Sequence, residues 1–312
     1  MPKSIALIIL NWNTPVYTAN CVFSLLKNCD HSDFDIIIAD NGSTDGSLVQ
    51  LKAQFPDLIF LDNKENLGFA EGNNRALEYS ISHGYTYSMV MNNDTEADPG
   101  LVKNLLIHLQ QHPEAAAVQP AIYWLHQKNK LWNGEGRYYQ LLGKPYSDNK
   151  IYSHKKSTKD QAAFKRAKWL TGCCMLISNK VLQQTGLFNK QFFLYFEDVE
   201  LSFRIRAAGY ELHYLPGAKM YHEAGASAQT KTPEKEGTLS PVIHYYISRN
   251  HIWFLRKYGN PLFYPVMLLF NGPYYIAVLF YFLLRGRYKK AKYLFNGLKD
   301  GFFVPEKVIW QN

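Results

Sequence analysis

"DIIIADNGSTDG" (35–46) decides how this chain folds. Four consecutive apolar residues, 36–39, leave no polar face for water, so a strand formed from them must be covered on both sides. Strands of that kind belong to parallel sheets whose crossover helices pack on both faces. Asp40 ends the run, and Asn41, Gly42, Ser43 and Gly46 follow with turn chemistry.

The same grammar repeats on either side. "SIALIIL" (4–10) is an apolar run stopped by "NWNTP" (11–15), and 16–28 reads as a helix. Downstream come a short helix over 48–55, a third strand at "LIFLD" (58–62), a loop at "NKENLG" (63–68) and a helix over 69–83. "YSMVM" (87–91) is the fourth strand. The alternation predicts βαβ units and an α/β domain, its sheet mostly parallel and flanked by helices. Ligands of such sheets sit beyond the carboxyl ends of the strands. Asn and Asp collect at four of those ends: Asn11 and Asn13, Asp40 and Asn41, Asn63 and Asn66, then Asn92, Asn93 and Asp94. One such residue is a turn former; four sets on one edge outline a site.

The last set lies in "VMNNDTEADPG" (90–100). Pro99 at a first helical position makes Asp98 the natural cap of the next helix. Asp94 is left without that duty. A carboxylate at a strand tip suits Mg²⁺ or Mn²⁺ bridging diphosphate oxygens, with Asn92 placing a ligand or a metal-bound water. The chain has neither GxGxxG nor GxxxxGK[ST], and neither HExxH nor GxSxG. The usual dinucleotide, P-loop, zinc-protease and serine-hydrolase signatures are therefore missing, and a diphosphate would need a metal ion.

The remaining chain changes character twice. "RYYQLLGKPYSDNKIY" (137–152) reads as a hairpin or a loop, and "WLTGCCMLIS" (169–178) returns to strand. "FFLYFEDVELSFRIRAAGYELHYLP" (192–216) reads as loop, helix, a stop at Gly209, then strand. Residues 225–240 are polar and read as flexible. From about 240 the sequence is aromatic, basic helix. Apolar residues make up 47% of the 312, enough for a substantial core. Lys plus Arg is 34 against 26 acids, a net +8 that favours anionic partners. The four cysteines, at 21, 29, 173 and 174, form no CxxC pair, which argues against a zinc site or disulfide framework and for a reducing compartment. The first apolar run is too short for a signal peptide.

Six stretches in order carry a resemblance: "ILNWN" (9–13), "IIIADNGSTDGS" (36–47), "NLGFAEGNNRAL" (66–77), "MVMNNDTEADPG" (89–100), "FFLYFEDVELSFRIRAAGY" (192–210) and "MYHEAGAS" (220–227). Together they resemble glycosyltransferase family 2, in its rhamnosyltransferase-like branch. The resemblance implies a GT-A fold, a Rossmann-like nucleotide-diphospho-sugar transferase domain over 1–230. Residues 1–120 would form its nucleotide-sugar half and 121–230 its acceptor half. It implies inversion at the anomeric carbon of a nucleoside diphosphate sugar, dTDP-rhamnose or a UDP-sugar.

By position, the resemblance places Asn11, Asn13 and Asp40 at the base and ribose, and Asn66, Gly68 and Asn74 in the stretch closing over the nucleotide sugar. Asn92 and Asn93 join that set. The family's Asp-x-Asp metal motif is matched by "NND", with Asn92 first and Asp94 last, so one charge is missing. His222 matches a position that completes the sphere of Mg²⁺ or Mn²⁺. Asp198 of "FEDVE" matches the catalytic base, and a helix N-terminus there would keep it ionised. Gly172, Glu197 and Arg204 fall to the acceptor or donor-sugar pocket; Arg204 also sits four residues from Glu200, the spacing of an ordinary helix pair. The implied acceptor is a lipid-linked glycan of O-antigen or similar surface polysaccharide, made at the cytoplasmic face of the inner membrane, with no role for nucleic acid.

Residues 240–312 form the second unit. The run 262–284, as a helix, would span ~35 Å, and "NGP" (271–273) should break or kink it. With "RGRYKKAKYLFNGLK" (285–299) after it, the segment suits in-plane or re-entrant contact with an anionic membrane; the alternative is a helical hairpin packed on the catalytic domain. Two other functions fit parts of the pattern. A sugar nucleotidyltransferase should carry a Gly-rich basic loop where "NWNTP" stands. A non-catalytic membrane scaffold would leave the strand-end acids and Asp198 without purpose.

Overall fold

The computed structural model describes residues 3–149, 164–225, 229–234 and 237–304. The first half delivers the expected alternation: β1 (Ile5–Asn11), α1 (Pro15–Asn28), β2 (Phe34–Asp40), α2 (Ser47–Gln54), β3 (Ile59–Asp62), α3 (Gly68–Ser82) and β4 (Tyr87–Asn92). β1 pairs in parallel with β2 and β4, and β2 with β3. Alternate residues of each strand then serve opposite faces. Ile5, Leu7 and Ile9 of β1 join one core with Val22 and Leu25 of α1, while Ala6 and Ile8 join another with Ala76 and Leu77 of α3. The apolar run that looked double-sided is therefore buried on both sides.

A second set of strands completes the sheet: β5 (Thr95–Ala97), β6 (Ala115–Trp124), β7 (Leu131–Asn133), β8 (Glu135–Tyr139), β9 (Lys144–Asp148), β10 (Lys165–Arg166), β11 (Cys174–Ser178) and β12 (Glu211–His222). Helices α4 (Leu101–Gln111), α5 (Asn179–Thr185) and α6 (Glu197–Ala207) lie between them. Among the described residues the main sheet runs β10-β12-β6-β11-β4-β1-β2-β3, with β5 beside β12 and β7 beside β6. β11 is antiparallel to both neighbours, so its N-terminal end enters the edge where β4 ends. β8 and β9 form a separate hairpin, the first of the two alternatives for 137–152; residues 150–163 lie outside the described chain. Of the polar stretch 225–240, residues 226–228 and 235–236 also lie outside it, and Gln229–Glu234 pairs with Gly237–Leu239.

Two local expectations fail. α4 begins at Leu101 after Gly100 in the left-handed region, so Asp98 is not its cap. The Asp98 amide instead extends the β5–β12 pairing by donating to Lys219 O, and its carboxylate accepts from the Tyr221 hydroxyl at 3.0 Å. Nor does "NGP" break its helix. After α7 (Pro241–Tyr258), α8 runs unbroken over Tyr264–Leu284 with Pro273 inside, followed by α9 (Tyr288–Phe303). Asn271 secures that turn by donating to Met267 O at 2.9 Å and to Leu142 O at 3.0 Å. α9 comes close to α7 because Gly297 and Gly301 present no side chain: a Cβ on either would collide with Ser248 and Tyr245, or with Ile252.

Candidate active site

The floor of the site is a buried polar network at the tips of β1, β2 and β4. Asn11, 0% exposed, donates to Asp40 Oδ1 at 2.7 Å and to Ser43 Oγ at 3.1 Å, and accepts from the Thr18 hydroxyl at 2.7 Å. The second oxygen of Asp40 accepts from Ser43 N at 2.9 Å. Asn93 donates to the hydroxyls of Thr14 and Thr18 at 2.7 and 2.9 Å. Polar groups this deep need such partners. Asn11 and Asn93 were expected at the nucleotide; in this structure their amide nitrogens donate to protein groups at the strand tips. Asp40 shares that layer. Asn13, half-buried with φ 54°, accepts from Thr44 N at 2.8 Å and shapes the turn above it.

One layer over, Asn41 donates to Asn66 Oδ1 at 3.1 Å, and Asn66 Oδ1 accepts from Gly68 N at 2.9 Å. Gly68 has φ +76°, and a Cβ there would strike the carbonyl and ring of Phe193. Glycine is required on both counts. Asn74 departs from expectation: it donates to Phe188 O at 2.9 Å and accepts from Phe188 N at 3.0 Å, tying α3 to the loop before α6. With its amide committed on both sides, it is a tether.

The expected metal ligands do meet. β5 pairs with the end of β12, placing His222 opposite Thr95. His222 Nε2 lies 2.9 Å from Asp94 Oδ1 and 3.5 Å from the Asn92 amide, with both Asp94 and His222 buried. His222 Nδ1 is buried with no hydrogen-bond partner among the described residues, and the Trp132 ring meets the imidazole edge to face at 4.4 Å. A carboxylate oxygen beside an imidazole nitrogen, with an amide oxygen and nitrogen adjoining, is a donor set that fits a divalent ion such as Mn²⁺ or Mg²⁺. Another acid-imidazole group, Glu114, Glu211 and His213, lies at the opposite ends of β6 and β12. There Arg166 holds Glu211 at 2.6 Å and His108 meets His213 at 2.8 Å, so that group is a charge-paired network remote from the strand tips.

β11 carries the link from the Asp94–His222 pair to Asp198. Asn92 N donates to Cys173 O at 2.9 Å, and the neighbouring Gly172 N donates to Asp198 Oδ2 at 2.9 Å. A Cβ on Gly172 would press on the Phe69 ring, so the absence of a side chain keeps the backbone against Asp198. Val199 N donates to Asp198 Oδ1 at 2.8 Å, and Thr171 also supports the carboxylate. These bonds favour the ionised form, but burial outweighs them and raises the Asp198 pKa above its usual value. The helix N-terminus thus moderates a raised pKa; it does not by itself fix the charge. Glu197 is raised further, by burial and then by Asp198, and its Oε2 has no partner among the described residues. Burial also raises the thiols of Cys173 and Cys174, which keeps them protonated and unsuited to nucleophilic attack.

Arg204 does not face this pocket. It pairs with Glu200 at 2.8 Å and donates to the carbonyls of Thr185 and Leu187, so the ordinary helix pair is the outcome. Glu200, almost fully buried, also receives Lys257 Nζ at 3.0 Å and the Tyr258 hydroxyl at 2.8 Å from α7. Reading by position missed those contacts, along with Thr14, Thr18, Ser43 and Trp132. Their spacing carries no motif; only the fold brings them in.

With this geometry in place, comparison with known proteins is informative. Residues 2–237 match the family model described as "Glycosyltransferase like family 2". An N-acetylglucosaminyl-diphospho-decaprenol L-rhamnosyltransferase of Mycobacterium tuberculosis is 27% identical over 206 residues, 62% of this chain and 67% of that protein. The dTDP-rhamnosyl transferase RfbF of Shigella flexneri is 23% identical over 264 residues, 84% of this chain and 83% of that one. Among solved structures, GalNAc-T7 with UDP, GalNAc and Mn²⁺ superimposes with a TM-score of 0.60 at 12% identity, covering 81% of this chain and 48% of that one. S. aureus TarS with UDP gives 0.50 at 14%, covering 81% and 65%. The fold is that of the GT-A glycosyltransferases, and the chain belongs to glycosyltransferase-like family 2.

Proposed function

We propose that this glycosyltransferase moves a hexose, with inversion, from a nucleoside diphosphate sugar to a lipid-linked glycan at the cytoplasmic face of a bacterial inner membrane. L-Rhamnose from dTDP-rhamnose is the favoured donor, in line with the names of two relatives, and UDP-sugars come next. The observation that carries the reading is the single edge holding the Asp94–His222 pair and Asp198, joined through Gly172 and Cys173. A divalent ion held by Asp94 and His222 would neutralise charge on the leaving diphosphate. Asp198 takes the proton of the acceptor hydroxyl. That oxygen forms the new bond to the anomeric carbon from the face opposite the nucleotide. The bond to the diphosphate breaks and its electron pair leaves with the nucleoside diphosphate. Asn92 borders the metal pair, and Asn66 and Gly68 brace the loop expected over the sugar.

The C-terminal helices supply the membrane part of the reading. Pro261–Leu284 is long and apolar enough to cross a bilayer, and most of its apolar stretch is not buried in the protein. One side of α8 packs on the domain and on α9, while Leu268, Leu269, Ile276 and Phe280 are exposed. An apolar surface of this extent, followed by exposed Arg285 and Lys292, favours in-plane docking on anionic lipid over a fully packed hairpin. The test is a donor screen on purified protein with Mn²⁺, following nucleoside diphosphate release and the anomeric configuration of the product. Release from dTDP-L-rhamnose to a polyprenyl-diphosphate glycan, with inversion, is expected. Retention of configuration, or turnover of a nucleoside triphosphate plus sugar phosphate, would overturn the reading.

A further inference from the structure

The loop that delivers Asp198 is held in an unusual shape. Phe193, Tyr195 and Phe196 all have positive φ, at 61°, 67° and 71°, a region that bulky L-residues rarely occupy. Such a loop persists only where its surroundings over-determine it. On one side, the Phe193 carbonyl accepts from Phe69 N at 2.7 Å and Ala70 N at 3.2 Å, at the first turn of α3. On the other side, the holding groups come from α7. Asn250, fully buried, aims one amide nitrogen at three carbonyls: Phe192 at 2.8 Å, Leu194 at 2.9 Å and Tyr195 at 2.7 Å. Arg249 donates to Gln191 O at 2.7 Å and Phe192 O at 3.2 Å, and its Nε reaches Asn250 Oδ1 at 2.9 Å, which fixes the amide's orientation. The Trp253 ring lies 4.2 Å from the guanidinium carbon and holds that group in turn.

We propose that Arg249 and Asn250 are positioning residues for the transfer: they lock the strained 191–196 loop and so set where the Asp198 carboxylate stands. This rests on Asp198 being the base. The family match ends at residue 237, before α7 begins, so part of the catalytic apparatus is supplied by the C-terminal segment. That segment then has a duty besides membrane contact. The pattern "SRN" (248–250) says nothing of this in sequence, because its partners lie 55–58 residues away.

Two variants and two readouts test it in the full chain. Asn250→Ala removes the amide nitrogen that the three carbonyls share, and Arg249→Lys keeps the charge but loses the planar fork. Amide hydrogen exchange across 191–198 should speed up at least tenfold in Asn250→Ala, while dTDP affinity in Mn²⁺ stays within about threefold. Turnover should fall ~100-fold, the size of a misplaced catalytic group, with KM for the donor little changed. A double variant with Asp198→Asn should be no slower than Asp198→Asn alone, because both changes act on one group. Should Asn250→Ala fail to fold, Arg249→Lys decides, with an expected loss of turnover of roughly three- to tenfold at unchanged thermal midpoint. Wild-type exchange across 191–198, or wild-type turnover in a folded variant, would overturn the clamp. If Asp198→Asn itself turns over normally, the base assignment fails instead, and the exchange data still report on the loop.

Discussion

At the scale of single residues, the outcome depends on how burial and hydrogen bonding divide the charge between Asp198 and Glu197. Replacing Asp198 by Asn keeps the size of the side chain and one of the two bonds from Gly172 N and Val199 N, since an amide has a single accepting oxygen, and removes the carboxylate proposed as proton acceptor. Transfer should fall by ~10³-fold or more, the upper range for general bases, with dTDP binding retained; turnover within tenfold of wild type would exclude the role. Because burial raises the Asp198 pKa, the acid limb of the rate profile should lie above the usual aspartate range, activity being lost as falling pH protonates the base. Glu197 offers the matching stability test. Its folded-state pKa is raised, so its stabilising contribution is complete below the unfolded value and is lost as pH rises toward the folded one. Glu197→Gln should therefore raise the thermal midpoint at neutral pH, with the gain shrinking as pH approaches 4. An equal shift at every pH would show that the carboxyl titrates alike in the folded and unfolded chain, against the raised value. At the other end of the site, Asp94→Ala should weaken dTDP binding in Mn²⁺ by more than ~10-fold, at least about 1.4 kcal/mol. Equal affinity with and without the metal in wild type would remove the pair's role.

At the scale of elements, the parts read correctly from sequence are those whose cause is local. The four parallel strands show themselves because each is apolar on both faces, and their polar tips because strand ends carry ligands in such sheets. The convergence of Asp94 with His222, 128 residues apart, came through resemblance alone; no local rule pairs them. What stayed illegible is long-range or depends on depth. Asn11 and Asn93 look like ligand residues until burial shows their amides consumed by Asp40, Ser43, Thr14 and Thr18. Asp98 looks like a cap until β5 takes its backbone into the sheet. Pro273 looks like a break, yet the helix runs on through it from Tyr264 to Leu284. Helix contact gives the prediction proper to this scale. Gly297→Leu would insert a side chain where Ser248 and Tyr245 already stand, forcing α9 off α7. Overpacking of this kind costs ~1–3 kcal/mol. The loss should appear as faster amide exchange in α7 and α9 before the sheet is affected; uniform protection would mean the helices can repack.

For the molecule as a whole, the C-terminal helices are tied to the sheet and its loops by side-chain contacts as well as by the chain. α7 braces the domain at both ends of the Asp198 segment, through Asn250 upstream and through Lys257 and Tyr258 on Glu200 downstream. α8 and α9 pack on α7 and turn their other faces outward. Under the proposed membrane docking, a net charge of +8 would add long-range attraction to an anionic bilayer, each Lys or Arg near the surface contributing ~1 kcal/mol. Hydrophobic insertion and charge make different demands on a vesicle experiment. Binding to vesicles containing anionic lipid should weaken as salt rises, because the charge component is screened. Leu269→Glu with Ile276→Glu places two carboxylates on the outward face of α8, where Leu269 is 75% and Ile276 56% exposed. Flotation with phosphatidylglycerol vesicles should drop at least tenfold in that variant, while dTDP binding and the thermal midpoint stay at wild-type values. If the variant floats as well as wild type, the apolar face of α8 is not the docking surface, and charge alone would have to account for any membrane contact.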